Sequence, residues 1–495
     1  MVTSSGLRFN AKRVSGALKT LTKNRMAVIG IFLLVVFVFL ALAAPLLSPY
    51  DPKQQVSGDY AAPAWLTSFP DGYYLSKNIA QPASPTVASP ASLQAWSVSS
   101  SPAVQANLRT SYDPGVSHIS GSSGSLQLAY SGDGPATVTV SETFSYPYNG
   151  PPYLINAHLS YLLQGASAAT PIAVKLFITR WQQPGSQTFL LSNESGTVNG
   201  QWLPALSTFT YPSGTFQTIP PTPSQFTTPQ FIFSQATSYS YGIQLTFSGH
   251  QTVNIDNLQL QLYGTAWGLL GTDNAGYDVF TQTVYGARIS LFVGLLAAGI
   301  GIGLGLVVGL LAGFLGRFVD EVLMRFTDMM LVIPALPLLI VLVAVLGANI
   351  WNLIIVIGFL GWMGFARVIR SQVLTIRERP FVEAARASGA GPGRIIVKHV
   401  FPNIVSLTYV NLALSVPAAI LTEAALAFLG LSDPTVVSWG NMFYQVQISG
   451  AIAHFPPLWW WVLPPGFSIA LVSLSFILIG YALDDIFNPR LRKRR

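Results

Sequence analysis

The sequence predicts an all-α polytopic membrane domain of six transmembrane helices, interrupted after the first helix by an inserted extracytoplasmic β-sandwich domain. The chain has 495 residues, of which 51% are hydrophobic and only 9% are charged, whereas a soluble domain carries about 25% charged residues. Six apolar runs are long enough to cross a bilayer, and a long polar segment between the first two runs shows the alternation typical of β-strands. This composition excludes an ordinary soluble enzyme.

The first predicted span, 26–47, follows a long basic segment, and its apolar run fills a bilayer. A cleaved signal peptide is the alternative, because Ala41-Leu42-Ala43 resembles a small-residue cleavage site; we expect a retained anchor. The other predicted spans are 290–315, 322–346, 351–366, 404–429 and 463–481. The domain boundaries are 1–25 (N-terminal tail), 26–48 (first helix), 49–265 (inserted domain), 266–289 (re-entry segment), 290–485 (five-helix core) and 486–495 (basic tail).

The few charged residues predict the orientation of the chain. Six spans place both termini on one side, and 20 of the 26 Lys and Arg residues fall on that side. Because basic residues accumulate on the cytoplasmic side, we expect a multi-pass cell (plasma) membrane protein with both termini in the cytoplasm. The segment 49–287 holds five basic and ten acidic residues and is expected outside. The net charge of +7 therefore reports topology and not nucleic-acid binding.

The chain contains no cysteine and only five histidines. The absence of cysteine excludes disulfides, thiolate metal ligands and cysteine nucleophiles. The scarcity of histidine argues against a histidine-rich metal centre. The sequence therefore assigns no metal ligand and no catalytic residue.

The inserted domain is predicted to begin with an irregular arm, 50–125, that is rich in Ser, Pro, Ala and Gly. From 126 to 264, apolar residues alternate with polar ones, as in 172–178 and 241–247. This alternation predicts short antiparallel strands packed as a β-sandwich. The alternation slips by one residue at Asp256-Asn257, which indicates a β-bulge.

The last strand of this domain, Val253–Leu258, resembles the closing strand of jelly-roll carbohydrate-binding modules. The resemblance implies a jelly-roll-like domain whose exposed aromatic residues could stack on sugar rings. The alternative is that these aromatic residues fill the core and that the domain docks a partner or shields the membrane core. The aromatic candidates are Trp96, Trp181, Trp202 and Tyr211.

A charged loop between spans four and five, 369–403, contains the strongest functional signal. It is too charged to cross a membrane. We expect a short helix over Val382–Ser388, a break at Pro392-Gly393, and a second helical turn over 394–400 that stops at Pro402. The product is a helix–turn–helix on the membrane surface, which we call the elbow (382–402).

The elbow resembles the EAA loop of bacterial and archaeal ABC importer permeases. In that loop Glu-Ala-Ala is followed after three residues by Gly, and after nine more by an apolar turn that ends in Pro; the spacing is the same here. The residues His399 and Phe401 depart from the generic pattern, but His-x-x-Pro-Asn suits the dipeptide/oligopeptide branch. The resemblance implies an ATPase-coupling loop whose site residues are Glu383, Ala384, Ala385, Gly389, His399 and Pro402.

Other segments are similar to the same family. They include Gly286–Leu291 before the second span, Glu423–Ala425 in the fifth, Ser438–Gly440 after it, and Asn488–Leu491 near the end of the sequence. Together they resemble the C-type permease subunit of a dipeptide/oligopeptide importer, which implies the type I ABC importer permease fold. The departure is the long insertion after the first span, where many relatives have a short linker.

The resemblance implies a translocation subunit and not an enzyme. Its partners would be a second homologous permease subunit in a heterodimer, two P-loop ATPase subunits, an extracytoplasmic solute-binding protein and membrane lipid, with no nucleic acid. ATP and Mg would bind to the ATPase subunits, and this chain has no Gly-x-x-x-x-Gly-Lys-Ser/Thr loop. Closure of the ATPases would switch the spans by alternating access. The substrates would be peptides or oligosaccharides, selected mainly by the binding protein.

Two other functions are weighed against this one. A membrane-anchored glycan-binding sensor or adhesin explains the outer domain, but it explains neither the five later spans nor the elbow. A secondary transporter explains the spans, but it does not need a docking loop of this pattern. Association with two P-loop ATPases would distinguish the importer from both.

Two acidic residues within predicted spans, Asp328 and Glu423, are candidates for pathway-lining or structural acids. We expect Asp328 to pair with Arg325, and Glu423 to form a packing or capping hydrogen bond rather than a substrate contact. Six glycines between 299 and 313 in the second span are expected to allow tight helix contact.

Overall fold

The computed structural model describes residues 24–82, 86–164, 171–182, 185–196, 200–210, 228–453 and 457–487. The chain divides into two compact units. A helical unit comprises Met1–Lys53 and Val279–Arg495, and a β unit comprises Gln54–Asp278. The β unit is therefore inserted between the first two long helices.

The helices of the helical unit follow the apolar runs of the sequence. They are α1 (Arg25–Leu47), α2 (Val279–Leu315), α3 (Arg317–Val332), α4 (Ala335–Leu346), α5 (Ile350–Leu360), α6 (Met363–Arg377), α7 (Pro380–Ala387), α8 (Pro392–Ile395), α9 (Phe401–Phe428), α10 (Trp439–Ile448) and α11 (Trp459–Phe487). Among the described residues, five helices are long and apolar enough to cross a membrane, or six if the bent pair α3 and α4 forms one span.

The predicted third span, 322–346, is not one straight helix. The axes of α3 and α4 are bent by 89°. Pro334 separates the two helices, and Ile333 before it is extended, with φ −72° and ψ 128°. The proline ring disfavours helical backbone at the preceding residue, which accounts for the break. The second span also differs from its prediction, because α2 begins at Val279 and takes in part of the expected re-entry segment.

Glycines on α2 allow α6 to approach closely. A Cβ on Gly309 would lie 2.6 Å from the carbonyl oxygen of Ala366. A Cβ on Gly313 would lie 2.7 Å from the Cβ of Val373. The expected role in tight helix contact is confirmed at these positions, whereas Gly303 faces open space.

The β unit consists mainly of two antiparallel sheets. The strands are β1 (Ala62–Pro63), β2 (Ile79–Gln81), β3 (Ser97–Ser100), β4 (Leu108–Pro114), β5 (Gly124–Tyr130), β6 (Ala136–Tyr146), β7 (Leu154–Gln164), β8 (Ile172–Gln182), β9 (Gly185–Gly196), β10 (Trp202–Thr210), β11 (Thr237–Phe247), β12 (Gln251–Tyr263) and β13 (Ala266–Trp267). One sheet has the order β10-β7-β12-β5-β4 with β2 also paired to β12, and the other has the order β3-β6-β11-β8-β9. β1 and β13 form a separate parallel pair. Short helices lie at Pro102–Gln105 and Thr228–Ile232.

The two large sheets share one hydrophobic core. Alternate residues along each strand are buried in it, such as Ile243 and Leu245 of β11 and Val253 and Ile255 of β12. Since side chains alternate between the two faces of a strand, this pattern is that of sheets buried on one face. Two sheets around one core agree with the predicted sandwich, and the likeness to a jelly roll stays a prediction.

Two features of the β unit bear directly on the sequence predictions. The pairing of β12 with β7 shifts between Asp256 and Gln259, and Asn257 has φ 55°, which confirms the predicted bulge. The prediction of an irregular arm over 50–125 is partly wrong, because this segment contributes β2, β3 and β4 to the two large sheets. β2 and β3 have only three and four residues, and β4, although it has seven, does not alternate apolar with polar residues, so the sequence shows no strand pattern here.

The bulge also positions a buried carboxylate. The oxygens of Asp256 accept hydrogen bonds from the backbone N–H groups of His118 (2.7 Å) and Ile119 (3.1 Å). They also accept from the hydroxyl of Ser122 (3.0 Å) and the N–H of Asn257 (2.9 Å). Four donors on one buried side chain fix the loop between β4 and β5 to the sheet.

Candidate functional site

The elbow begins with a short amphipathic helix, α7. Pro380 lies in its first turn, where the N–H that proline lacks would have no partner within the helix. Glu383 lies in the same turn, where the positive end of the helix dipole stabilises a carboxylate. Arg386 lies in the last turn, at the negative end. The local sequence therefore fixes both ends of α7, which starts two residues before the predicted Val382.

The turn after α7 requires Gly389. Its φ is +80°, and the N–H of Ala390 donates to the carbonyl of Ala385 (3.1 Å) while the N–H of Gly389 donates to that of Arg386 (3.0 Å). These two bonds form a Schellman motif, which needs a left-handed residue that glycine adopts without strain. A Cβ at Gly389 would meet no atom within 4 Å, so only the backbone conformation demands glycine.

The elbow has one anchored face and one exposed face. Val382, Ile395 and Val400 are buried in a cluster with Phe314 of α2 and Ile369 of α6. The predicted site residues lie mostly on the other side. Glu383, Ala384, Gly389 and Pro402 are exposed, and Ala385 and His399 are half-buried. Among the described residues Glu383 forms no ion pair.

The second half of the elbow differs from the prediction. Pro392 starts a helix instead of breaking one, and the helix does not stop at Pro402 but continues through α9. A π-turn over Ile396–Val400 precedes Pro402, with the N–H of Phe401 donating to the carbonyl of Ile396. A wider turn accommodates a proline, which lacks an N–H and clashes with the preceding turn of a regular helix. The second half of the elbow, from Pro392 onward, and α9 are therefore one continuous helix.

Side chains at the π-turn complete the local structure. The side-chain amide of Asn403 donates to the carbonyl of His399 (2.6 Å). The ring of His399 lies 6.5 Å from that of Phe381 between centroids. The His-x-x-Pro-Asn pattern thus places its first and last residues in one contact.

The prediction that Asp328 pairs with Arg325 is wrong. Its Oδ1 lies 2.5 Å from Nη2 of Arg367 on α6. A second pair, Asp320 with Arg370, joins the same two helices. Asp328 thus holds α3 against α6. It pairs with a residue of another helix and not with Arg325, three residues earlier on its own helix.

Glu423 is buried near the far end of α9. Its Oε1 accepts a hydrogen bond from the hydroxyl of Ser438 (2.7 Å), which in turn accepts from the backbone N–H of Asn441 (3.1 Å) at the start of α10. The neighbouring Trp439 N–H donates to the hydroxyl of Ser290 on α2 (3.2 Å). The hydrogen bond expected of Glu423 is present, and it ties α9 to the loop before α10.

Sequence reasoning missed a group that holds this same loop. Lys53 lies six residues after the end of α1, where the first stretch of the helical unit ends. Its Nζ donates to the carbonyls of Pro434 (2.7 Å) and Thr435 (2.9 Å). Burial alone would raise the pKa of Asp433, but hydrogen bonds from Thr435 lower it. The only sequence signal was a basic residue isolated among acidic ones after the first span.

The aromatic candidates for sugar stacking have different surroundings in the β unit. Trp96 packs against the hydrophobic core, and Trp202 lies 5.4 Å from the ring of His118. Trp181 is half-exposed and donates from Nε1 to the hydroxyl of Ser240 (2.8 Å). Tyr211 lies outside the described residues. In the described part of the chain, no group of three His, Asp or Glu residues is arranged to hold a metal ion.

Comparison with known families gives two matches at the positions expected of the helical unit. The family described as "Binding-protein-dependent transport system inner membrane component" matches residues 305–493. The family "N-terminal TM domain of oligopeptide transport permease C" matches residues 14–63. The first match includes the elbow, and the second covers α1 and extends into the first residues of the β unit.

Curated relatives share more than a third of their residues with this chain where they align. The dipeptide transport system permease protein of Bacillus subtilis is 37% identical over 247 residues, 50% of this chain and 76% of that protein. The oligopeptide transport system permease protein of the same organism is 36% identical over 245 residues, 49% and 78%. The dipeptide transport system permease protein of Alkalihalophilus pseudofirmus is 39% identical over 249 residues, 50% and 80%.

Comparison with solved structures gives two weak likenesses. An inward-facing MetNI methionine ABC transporter is 19% identical at a TM-score of 0.33, covering 42% of this chain and 94% of that one. TmCBM61 in complex with β-1,4-galactotriose is 8% identical at a TM-score of 0.22, covering 34% and 90%. Such TM-scores do not establish a shared fold. The matched families and the relatives show that the chain belongs to the binding-protein-dependent ABC transporter permeases, as a C-type subunit of the dipeptide/oligopeptide class.

Proposed function

We propose that this chain is the translocation subunit of an ATP-driven peptide importer and that the elbow couples its spans to an ATPase partner. The observation that supports this is the division of the elbow into two faces. Val382 is buried against α2 and α6, while Glu383, the next residue, is exposed. A partner bound to the exposed face would act on a segment already packed against two spans.

The continuity of the second half of the elbow with α9 supports a route for the motion. The helix Pro392–Phe428 has 37 residues, so a displacement at the elbow would tilt α9 along its whole length. Glu423 would pass that tilt to Ser438 and the loop held by Lys53. A rigid-body change of this kind would open the pathway alternately to each side.

The charge distribution supports the proposed orientation. Basic residues concentrate in the tails and around the elbow, and the positive-inside rule would place these segments in the cytoplasm. The β unit would then lie outside, where a solute-binding protein arrives.

The relatives suggest the partners and the substrate. As dipeptide and oligopeptide permeases, they favour peptides over oligosaccharides. We propose a heterodimer with a second homologous permease, two P-loop ATPases that bind ATP and Mg, and an external solute-binding protein; this chain itself would bind no cofactor. A glycan-binding adhesin is not favoured, because it leaves the elbow and the spans after it without a role.

The coupling role is tested by changing the exposed face of the elbow without changing its anchored face. We expect Glu383→Ala to abolish peptide uptake and binding-protein-stimulated ATPase activity in reconstituted vesicles, while the complex still assembles. Glu321→Ala removes an exposed carboxylate from α3 and is the matched control. Wild-type uptake by Glu383→Ala would refute the coupling role.

The turn of the elbow offers a second test. Gly389→Ala places an L residue in the left-handed region, which costs about 1–2 kcal/mol. Gly393→Ala is the control, since a Cβ there also meets open space but its backbone is helical. We expect reduced uptake with Gly389→Ala and wild-type uptake with Gly393→Ala. Equal activity of the two variants would show that the turn conformation is unimportant for coupling.

A further inference from the structure

Large aromatic side chains are exposed together in one short segment of the β unit. Trp65, Phe69, Tyr73 and Tyr74 are 44%, 55%, 58% and 64% exposed, and Leu269 beside them is 58% exposed. We call these five residues the aromatic surface. Soluble surfaces rarely expose contiguous apolar patches, and those that do generally bind something.

Tight turns keep these side chains outside the core. The segment consists of two 3₁₀ helices, Ala64–Ser68 and Pro70–Gly72, joined at Phe69. The rings of Trp65 and Phe69 meet edge to face at 6.1 Å, and those of Tyr73 and Tyr74 do so at 5.0 Å. The aromatic residues thus pack on one another at the surface.

A hydrogen bond brings the second part of the surface to the first. Nε1 of Trp65 donates to the carbonyl of Leu269 (3.1 Å), and the N–H of Ala64 donates to the carbonyl of Gly268 (2.9 Å). Two segments about 200 residues apart in sequence therefore form one continuous patch.

The aromatic surface belongs to the base of the β unit, where the chain enters and leaves it. The first and last segments of the unit are bonded to each other, from Val56 N–H to the carbonyl of Gly276 (2.9 Å) and from Tyr60 N–H to that of Asp273 (2.8 Å). β1 and β13 pair within the same base. The aromatic surface is thus built on the part of the unit that is covalently joined to the spans.

The two connections to the β unit leave the helical unit at the end of α1 and at the start of α2. The hydroxyls of Ser48 and Thr281 are 2.5 Å apart, which fixes the residue after α1 to the first turn of α2. α1 is apolar along its length, and Leu46 near its end is 88% exposed. Both connections to the β unit therefore leave where the lipid-facing apolar surface finishes.

We propose that the aromatic surface contacts the lipid headgroup region of the membrane from which the β unit emerges. Trp and Tyr are the residues that favour this region, because their rings are apolar and their N–H and O–H groups meet water. Residues 64–75 contain one acidic residue, Asp71, and no basic residue. The contact is therefore aromatic rather than electrostatic, so it needs no anionic lipid and is insensitive to salt. That the leaflet is the outer one rests on the proposed function; the lipid contact itself does not.

The absence of native cysteine allows a direct measurement on the full chain. Single cysteines replace Leu269 and Phe69, are labelled with a nitroxide, and are studied in phosphatidylcholine nanodiscs without partner subunits. Leu190→Cys and Phe231→Cys are matched controls elsewhere in the β unit, since these residues are 56% and 54% exposed. The readout is the ratio of collisions with oxygen, which concentrates in lipid, to collisions with a water-soluble nickel chelate.

We expect a several-fold higher ratio at positions 269 and 69 than at the controls, unchanged between low and high salt. A water-like ratio at all four positions would overturn the proposal. So would a ratio at 269 and 69 that changes only when the solute-binding protein is added, because the surface would then bind a protein. Failure here leaves the ATPase-coupling test at Glu383 unaffected, so the two ideas fail separately.

Discussion

Asp320 and Arg370 join α3 to α6 through two parallel bonds, from Nε to Oδ1 at 2.5 Å and from Nη2 to Oδ2 at 2.6 Å. The pair of Asp328 with Arg367 lies on the same two helices. Since Asp320 is followed along α3 by Asp328, while Arg370 is preceded along α6 by Arg367, the two helices run antiparallel at this contact. α3 is thus fixed to the helix against which the elbow packs.

We expect Asp320→Ala to lower the thermal midpoint of the complex in detergent. The carboxylate is mostly buried and the guanidinium only partly, so the loss should be about 1–2 kcal/mol, below the 3–5 kcal/mol of a fully buried pair. A double-mutant cycle with Arg370→Ala measures the coupling between the two side chains. Strict additivity of the two single changes would show that the pair contributes nothing.

The close contact of α2 with α6 predicts that alanine has different effects on stability at two glycines of α2. Gly309→Ala inserts a Cβ against the Ala366 carbonyl and Ile369 and should destabilise the helical unit by about 1–3 kcal/mol. Gly303→Ala meets open space and should not destabilise it, because alanine favours helices by about 1 kcal/mol over glycine. Thermal unfolding in detergent compares the two variants. Equal midpoints would contradict the close-packing role.

The buried carboxylate of Asp256 should determine the order of the loop between β4 and β5. Asp256→Ala leaves the N–H groups of His118 and Ile119 without their acceptor, at a cost of about 1.5–3 kcal/mol. Hydrogen exchange of these two amides should accelerate strongly in the variant. Asp133→Ala, at a fully exposed carboxylate, is the control. Unchanged protection at 118 and 119 would mean that the loop is held by other contacts.

A histidine on β7 should make the β unit sensitive to acid. Burial lowers the pKa of His158 below its ordinary value, so folding favours the neutral ring. The stability that this provides is complete above the unfolded pKa of about 6.5 and is lost as pH falls through the folded pKa. Between about pH 7 and about pH 5, His158→Gln should therefore lose less thermal stability than wild type. Equal losses of thermal stability in His158→Gln and in wild type would refute this effect of His158.

The sequence predicted the elements whose signal is local. α1 and α2 are long apolar runs, the strands β8 and β11 show the alternation over 172–178 and 241–247, and the bulge at Asp256 shows as a slip in phase. The site residues of the elbow were identified from its resemblance to the EAA loop, whose residue spacing this segment shares. In each case the pattern and the contact it predicts lie within one segment.

The errors concern a long-range ion pair, one irregular helical turn and two very short strands. Arg367 lies 39 residues from Asp328, so no local rule prefers it over Arg325. The helix passes Pro402 because a π-turn forms immediately before the proline, and proline rules describe only regular helices. β2 and β3 are three and four residues long, and the strands beside them create their conformation.

The bond between Ser48 and Thr281 has a consequence for the history of the chain. It joins the two helices where the β unit begins and ends, and the bridge from Gln55 to Tyr277 joins the two ends of the β unit itself. Each unit thus closes its own boundary, the arrangement in which whole-domain insertions are tolerated. The β unit could therefore be gained, lost or exchanged during evolution without changes in the helical unit.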